Sequence, residues 1–192
     1  MGESVLKKTY SIEEYFEMEA KSLEKHEYIA GEIFAMAGGK PNHSLIANNI
    51  SAELRTALKG KPCLTYNSDL VIATSNNEFV YADASVICGK LEHFPEYSNA
   101  AKNPVLIVEV LSDSTEKYDR GEKFRKYQQI PSFREYVLIT QDKVRVEVFF
   151  KPDNIIFWQY RAYENLNETI KLKSIDCKIS LQDIYLGWQK SE

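Results

Sequence analysis

The spacing of apolar and polar residues divides the first part of the chain into a short helix and two short strands. Ser11, with Glu14 three positions later, forms a capping box ahead of an apolar face, so we expect a helix over about residues 11–20. Two apolar runs, 27–29 and 32–36, lie on either side of an Ala-Gly pair and predict two strands around a tight turn.

A second helix is predicted after a segment rich in glycine and proline. Asn42 can cap it, and His43 would lie in its first turn. Its apolar face repeats every four positions, at Ile46, Ile50, Leu54 and Leu58. Three stretches then look extended, with Asp83 inside the last of them: 63–66, 69–73 and 79–88. Residues 92–103 are polar and predict an irregular segment.

The middle of the chain predicts a strand, a helix and a parallel strand. Residues 105–111 are almost continuously apolar, as in a strand buried on both faces, and Glu109 is the one ionisable residue among them. A helix capped by Ser114 or Thr115 should run to about residue 129, and a second buried strand covers 135–140. Such a series implies a βαβ crossover.

After residue 142 the pattern changes to strict alternation, which is typical of an antiparallel strand with one wetter face. Residues 155–160 and 169–173 continue this region, and 181–185 predict a terminal helical turn. We therefore expect an α/β (α+β) fold in a single domain, residues 1–192, with a mixed sheet flanked by helices and an antiparallel C-terminal extension.

Composition limits the classes of protein that need to be considered. The 192 residues are 44% hydrophobic, which suits one folded domain, and 24 Lys plus Arg against 28 Asp plus Glu leave a net charge of -4, so there is no global basic field. Three widely spaced cysteines, Cys63, Cys88 and Cys177, predict buried thiols in a reducing compartment. Glu3 and Lys7 are unlike a signal peptide, and no apolar run is long enough for a membrane span, so we expect a cytoplasmic protein.

Two acidic residues within apolar strands need a physical explanation. Glu109 would cost several kcal/mol of folding free energy unless it is paired, protonated or bound to a cation. One interpretation is a lysine or arginine reaching in from a neighbouring helix, and the other is a metal ligand or general base. Asp83 alone could cap a neighbouring turn. Together, two carboxylates on adjacent strands favour a hard cation such as Mg²⁺ or Mn²⁺ between them.

The following helix carries a polar stripe at spacings of four: Asp119, Lys123 and Tyr127. Lys123 can turn inward with Phe124 as an adjoining core contact, or it can form an ordinary surface pair with Asp119. His43 and Glu32 are each ambiguous alone, since both could be polar surface residues. Glycine-rich phosphate loops, short-spaced Cys/His ligand sets and nucleophile elbows are missing from the sequence, which disfavours hydrolysis by an activated serine or cysteine.

The order of these residues between about 27 and 139 resembles the Uma-type restriction endonucleases of the PD-(D/E)XK nuclease superfamily. The matching positions are Glu32, His43, Tyr81-Ala82-Asp83, the segment 108–112, the stripe Asp119, Lys123 and Tyr127, and finally Glu135-Tyr136. Ala82 stands where the superfamily usually has proline, and Leu111 stands where its lysine is usual. The resemblance therefore requires the lysine to come from the next helix, where Lys123 matches.

This resemblance implies a restriction-endonuclease-like fold with a central mixed sheet of four or five strands. It implies that Asp83 and Glu109 hold a divalent metal, Mg²⁺ or Mn²⁺, and that Lys123 orients water or stabilises the transition state of phosphodiester hydrolysis. Glu32 and His43 match positions near the site. The implied substrate is nucleic acid, with DNA as the first expectation.

Two functional hypotheses follow from these residues. The first is a metal-dependent DNA endonuclease, and the second is a nuclease-like fold that serves as a nucleic-acid or protein interaction module without catalysis. The acidic net charge favours the second, whereas the presence of all three candidate residues favours the first. We also expect a homodimer through the aromatic residues of the C-terminal region, although core packing explains the same residues: Phe149, Phe157, Trp158 and Tyr160.

Overall fold

Two six-stranded sheets and a two-stranded hairpin organise the chain. The structure is a computed structural model, and it describes residues 8–36, 38–95 and 97–190. Numbered along the chain, its helices are α1 (Ile12–Glu19), α2 (Pro41–Ala57), α3 (Glu116–Tyr118), α4 (Phe124–Tyr127) and α5 (Leu181–Ile184). Its strands are β1 (His26–Ile29), β2 (Glu32–Ala35), β3 (Cys63–Asn67), β4 (Val71–Ser75), β5 (Glu78–Tyr81), β6 (Ala84–Cys88), β7 (His93–Phe94), β8 (Tyr97–Ala101), β9 (Leu106–Leu111), β10 (Glu135–Thr140), β11 (Val146–Phe150), β12 (Gln159–Tyr163), β13 (Thr169–Leu172) and β14 (Cys177–Ser180).

The central sheet has the strand order β12-β11-β10-β9-β6-β3. Only β9 and β10 run parallel within it, and the helical segment between them makes the crossover that the sequence predicts. The sheet has six strands rather than the expected four or five, because β11 and β12 of the C-terminal region continue the same ladder. The predicted mixed sheet with an antiparallel C-terminal extension is thus confirmed.

Strand β9 is buried on both faces, and its alternation decides which side chains share a layer. Val108 and Val110 face α2, the β13–β14 hairpin and α5, whereas Ile107 and Leu111 face the crossover helices. Because side chains alternate along a strand, Glu109 points to the same face as Ile107 and Leu111. The carboxylate therefore lies under the helix that follows β9.

The crossover helix is not uniformly α-helical. A π-helical segment, Asp119–Lys123, joins α3 to α4, and both of its end residues are buried. Thr115 is the residue at the N-terminal cap, but its side chain makes no capping hydrogen bond. The π turn lets Asp119 and Lys123 face the sheet together, so the surface-pair interpretation of these residues is wrong.

The second sheet, of order β2-β1-β5-β4-β8-β7, packs its aromatic residues against α1. The capping box of Ser11 and Glu14 on α1 is confirmed. Two predictions in this region are wrong. The apolar run 79–88 is not one strand, since β5 belongs to the second sheet and β6 to the central sheet, with Ala82 and Asp83 at the transition. The polar stretch 92–103 holds β7 and β8, because parallel pairing with β4 supplies backbone partners.

The start of α2 also differs from the prediction. The helix begins at Pro41, with Lys40 rather than Asn42 at the cap position. Proline is favoured in the first helical turn because it lacks an N–H group that would need a partner there. The Asn42 side chain instead donates a 2.8 Å hydrogen bond to the backbone oxygen of Gln189 and ties the C-terminal segment to α2.

Cys63 and Cys88 form a disulfide between opposed positions of β3 and β6. The expectation of three separate thiols is therefore wrong for these two residues. Sequence spacing could not reveal the pair, because the two cysteines meet only through the register of two antiparallel strands. Cys177 is a buried free thiol.

Within the described residues, none of the helices has the length and apolar character that a membrane span requires. Glu3 and Lys7, on which the expectation of no signal peptide rests, lie outside the described residues.

Candidate active site

Glu109 and Asp83 lie side by side on adjacent strands of the central sheet. The register that pairs Ala84 with Val108 places Asp83, immediately before β6, across from Glu109. Asp83 is held there by its Oδ2 atom, which accepts a 2.7 Å hydrogen bond from the backbone N–H of Val110. The two acids that the sequence singled out are therefore neighbours, and Asp83 marks the point where the chain passes between sheets.

Lys123 reaches Glu109 from the π segment of the crossover helix. Its Nζ atom lies 2.9 Å from Glu109 Oε1, and the two side chains are only 6% and 4% exposed. The same Nζ atom lies 3.6 Å from Glu27 Oε1 and 3.6 Å from Asp119 Oδ1. One buried ammonium group thus stands among three carboxylates.

Phe124 anchors this part of the helix, as predicted. Its ring stacks on Tyr136 at 4.8 Å between centroids and also contacts Phe149 and Trp158. Because Phe124 is adjacent to Lys123, this packing fixes the position of the lysine relative to the central sheet.

Two tyrosines hold the carboxylates in position. Tyr127 donates a 2.7 Å hydrogen bond to Glu109 Oε1, and Tyr118 donates a 2.7 Å hydrogen bond to Glu27 Oε2. Each tyrosine satisfies one oxygen of a buried acid, which would otherwise carry a desolvation cost. Glu27 Oε1 has no hydrogen-bond partner among the described residues and faces only the lysine ion pair.

His43 completes the site from the first turn of α2. Its Nε2 atom lies 3.3 Å from Asp83 Oδ2. Burial lowers the pKa of His43, but the hydrogen bond to Asp83 and the charge of that carboxylate outweigh burial, so the pKa is raised overall. A methyl group on Gly39 would come within 2.8 Å of His43 Nδ1, so the glycine leaves room for the imidazole.

The electrostatic balance of the site is negative. Burial raises the pKa of Glu109 well above its ordinary value in spite of Lys123, and the charges of Asp119 and Asp83 raise it further. Burial likewise raises the pKa of Asp119. The pKa of Lys123 is raised because Glu109, Glu27 and Asp119 outweigh its desolvation. Four carboxylates therefore share one lysine and one histidine.

This donor set fits a hard divalent cation. Carboxylate oxygens are the preferred ligands of Mg²⁺ and Mn²⁺. A cation would offset both the burial of Glu109 and the repulsion from Asp119 and Asp83 that raise its pKa. Asp83 and Glu109 offer the adjacent pair. Among the described histidine, cysteine, aspartate and glutamate side chains, no group of three is already arranged as a ligand set. Water would therefore have to complete the coordination of a metal.

The structure brings together most of the residues chosen from sequence: Asp83, Glu109, Lys123 and His43. Glu32 lies on β2 opposite Ile29 and shares a face with Glu27, but it is not among the ion-pair partners that the structure gives Lys123. Glu27 and Tyr118 were missed. Nothing in the local sequence distinguishes Glu27 from Glu32, since both occupy equivalent faces of one hairpin.

Comparison with known proteins gives consistent results. The family model described as "Uma2: Putative restriction endonuclease" matches residues 12–182. Two uncharacterized proteins of Synechocystis are similar: slr1290 is 38% identical over 180 residues, covering 92% of each chain, and sll1609 is 35% identical over 139 residues, covering 72% of this chain and 78% of that protein.

The fold also has a solved counterpart. A crystal structure from Anabaena variabilis, titled a putative nuclease belonging to DUF820, superposes with a TM-score of 0.73 at 16% identity and covers 93% of this chain and 98% of that one. At this identity the likeness concerns the fold alone. Together with the match over nearly the whole chain, it leads to one conclusion: the protein belongs to the Uma2 family of putative restriction endonucleases and has a nuclease-like fold.

Proposed function

We propose that this protein is a metal-dependent endonuclease that hydrolyses phosphodiester bonds in DNA. The observation that carries the proposal is the excess of carboxylates: Glu27, Glu109 and Asp119 surround the ammonium group of Lys123. Asp83, a fourth carboxylate, lies beside Glu109 and contacts His43. A purely structural ion pair needs one acid for one base. The additional acids are costly to bury unless a further cation is bound.

Each residue then has a defined task. Asp83 and Glu109 would hold Mg²⁺ or Mn²⁺, which supplies activation of water and neutralisation of phosphate charge when bound. Lys123 donates to an oxygen of the reacting phosphate and stabilises negative charge there. His43 and the Val110 N–H fix the Asp83 carboxylate. Glu27 and Tyr118 position Lys123, and Tyr127 positions Glu109.

The test combines metal binding with cleavage. Calorimetry with Mn²⁺ should give binding to the wild-type protein and lose most of it in Asp83→Asn and in Glu109→Ala, because the remaining ligands cannot offset dehydration of a hard ion. DNA and RNA substrates are then incubated with Mg²⁺ or Mn²⁺. Cleavage that requires the metal and disappears in both variants supports the proposal.

Matched controls come from the same helix. Glu122 and Lys117 are exposed, so Glu122→Ala and Lys117→Met should leave both measurements unchanged. Lys126 is an unsuitable control, because its side chain is buried in an ion pair with Glu78 at 2.8 Å. Unchanged Mn²⁺ binding in Glu109→Ala would contradict the assignment. Nucleic-acid binding without cleavage would identify the interaction module instead.

We propose a homodimer as the assembly of this protein. The outer strand β12 and the segment before it carry Ile156, Phe157 and Tyr160, which are 95%, 64% and 53% exposed. An edge strand with apolar neighbours can pair with a second copy. Phe149 and Trp158, by contrast, are partly buried and pack on Phe124 against the core. The cytoplasmic location stays a prediction.

A further inference from the structure

A cleft of about 290 Å³ lies at the N-terminal end of α2. Lys40, Asn42, Gln141 and Lys190 line it. Lys40 is three residues from His43, whose imidazole contacts Asp83. The cleft also lies beyond the C-terminal end of β10, and the carboxyl ends of parallel strands are where ligands of α/β sheets usually bind.

The start of α2 favours a negative charge. The helix is 17 residues long, its cap residue Lys40 makes no side-chain capping bond, and its first turn contains no acidic residue. Backbone N–H groups at a helix N-terminus point outward and carry a partial positive charge, which suits a phosphate oxygen.

Gln141 supplies an independent observation that points to a polar ligand. Its side chain is completely buried, yet neither Oε1 nor Nε2 has a hydrogen-bond partner among the described residues. It follows the alternation of Val137 and Ile139, which face α2. A buried amide without a partner is unfavourable, and a ligand oxygen in the cleft would accept its hydrogen bond.

Lys40 and Lys190 supply positive charge that can bind an anionic ligand. Lys40 Nζ lies 2.9 Å from Asp113 Oδ2, but both side chains are largely exposed, and such a pair contributes little to stability. A phosphate can therefore replace Asp113 as the partner of Lys40. Asp142 also lines the cleft, so the site suits a singly charged phosphodiester better than a more highly charged anion.

We propose that this cleft binds a backbone phosphate of the nucleic-acid strand, adjacent to the phosphate that is cleaved. The inference rests on the proposed nuclease function and extends it by naming where the substrate is held. Lys40, Lys190, the first turn of α2 and the Gln141 amide form the contacts. The site holds the strand in register with Asp83 and Glu109 without reading its sequence.

The test measures affinity without cleavage. A labelled DNA duplex is titrated in the presence of EDTA, and anisotropy gives the Kd at several salt concentrations. Lys40→Gln and Lys190→Gln should each raise the Kd several-fold and lower the slope of log Kd against log salt by about 1, as for loss of one phosphate contact. Lys59→Gln, an exposed lysine beyond the opposite end of α2, is the control.

Two further variants separate a binding site from a structural tether. Asp113→Asn should lower the Kd, because it frees Lys40 for the phosphate. If the Lys40–Asp113 ion pair served only to hold the loop in place, Lys40→Gln and Asp113→Asn would change the Kd in the same direction. Gln141→Met should raise the Kd and also raise the melting temperature, since it removes an amide without a partner.

The results that would overturn the phosphate site differ from those that would overturn the proposed nuclease function. Equal effects of Lys40→Gln and Lys59→Gln, or a change of the same sign in Lys40→Gln and Asp113→Asn, overturn the phosphate site. Failure of the wild type to bind the duplex overturns it as well. A wild type that binds DNA through Lys40 and Lys190 but never cleaves with Mn²⁺ refutes the nuclease proposal and leaves the phosphate site supported.

Discussion

Lys123 shows how one residue can satisfy two interpretations of the same sequence. If Glu109 is a structural residue, it requires a basic partner from a neighbouring helix. Lys123 is that partner, with its Nζ atom 2.9 Å from Glu109 Oε1. The functional interpretation asked for a lysine beside two strand acids, and Lys123 is again that residue. Glu27 and Asp119 also contact it, so we expect its charge to stabilise the folded protein before any substrate binds.

Removing this charge should therefore destabilise the protein. Lys123→Met leaves the buried Glu109 without its partner, so we expect the free energy of unfolding to fall by about 3–5 kcal/mol. Adding Glu109→Gln should restore part of that loss, because the uncompensated acid is gone. Urea denaturation of the two single variants and the double variant gives the coupling energy. Strictly additive effects would mean that the ion pair contributes nothing to stability.

The loop and the first turn of α2 act together at the scale of elements. Pro41 starts the helix, His43 projects from its first turn to Asp83, and Gly39 lies against the imidazole ring. Gly38, one position earlier, has open space around it. The two glycines therefore provide a matched pair for testing whether the position of His43 matters.

Gly39→Ala should displace the His43 ring, because the new methyl group would lie 2.8 Å from Nδ1. We expect cleavage to fall by about tenfold or more, since misplacement of a site residue by about 1 Å can cost this much. Gly38→Ala should stay within about twofold of wild type. Initial rates of DNA cleavage, with melting temperatures to exclude global unfolding, check the prediction. Equal rates in both variants would show that His43 tolerates displacement.

At the scale of the whole molecule, one disulfide bond joins two neighbouring strands of the central sheet that are distant in sequence. Cys63 on the outer strand β3 is bonded to Cys88 on β6, across 25 positions of sequence. A disulfide that closes a loop of this length stabilises the folded state by about 3 kcal/mol, chiefly by restricting the unfolded chain. Strand β6 follows directly after Asp83, so the bond also secures the strand that carries the site.

A reductant should lower the free energy of unfolding of the wild type by about 3 kcal/mol. A variant with both Cys63→Ser and Cys88→Ser should show the lower stability throughout and no response to the reductant. Guanidinium denaturation with and without the reductant measures both. Three titratable thiols in the oxidised, denatured wild type would show that the disulfide does not form.

The proposed dimer is a second property of the whole molecule. Phe157→Glu places a charge on the exposed apolar segment beside β12 and should convert the dimer to a monomer in sedimentation experiments. Leu23→Glu, at a still more exposed apolar position distant from β12 in sequence, should leave the mass unchanged. A monomer mass for the wild type at every concentration would end the dimer proposal.

Features that depend on near neighbours could be predicted from the sequence alone. The capping box of α1, the βαβ crossover and the antiparallel strand β11 follow from residues a few positions apart. The expected wetter face of β11 is wrong, because β11 lies between β10 and β12 and residues 146–148 are all buried. Asp83 and Glu109 stand out because a carboxylate in an apolar run is costly wherever the strand lies. The spacing of Lys123 from Asp119 and Phe124 allowed the lysine to face inward, and the structure excluded the alternative of a surface pair.

Only the tertiary structure decided the features that depend on how distant segments meet. Glu27 rather than Glu32 reaches Lys123, although 96 positions of sequence separate Glu27 from that lysine and no local spacing marks it. The break at Asp83 and the Cys63–Cys88 bond likewise depend on strand register. A β-hairpin presents several side chains on one face, and the local sequence does not favour one of them over the others. The packing of the second sheet against the crossover helix decides which of these side chains enters the site.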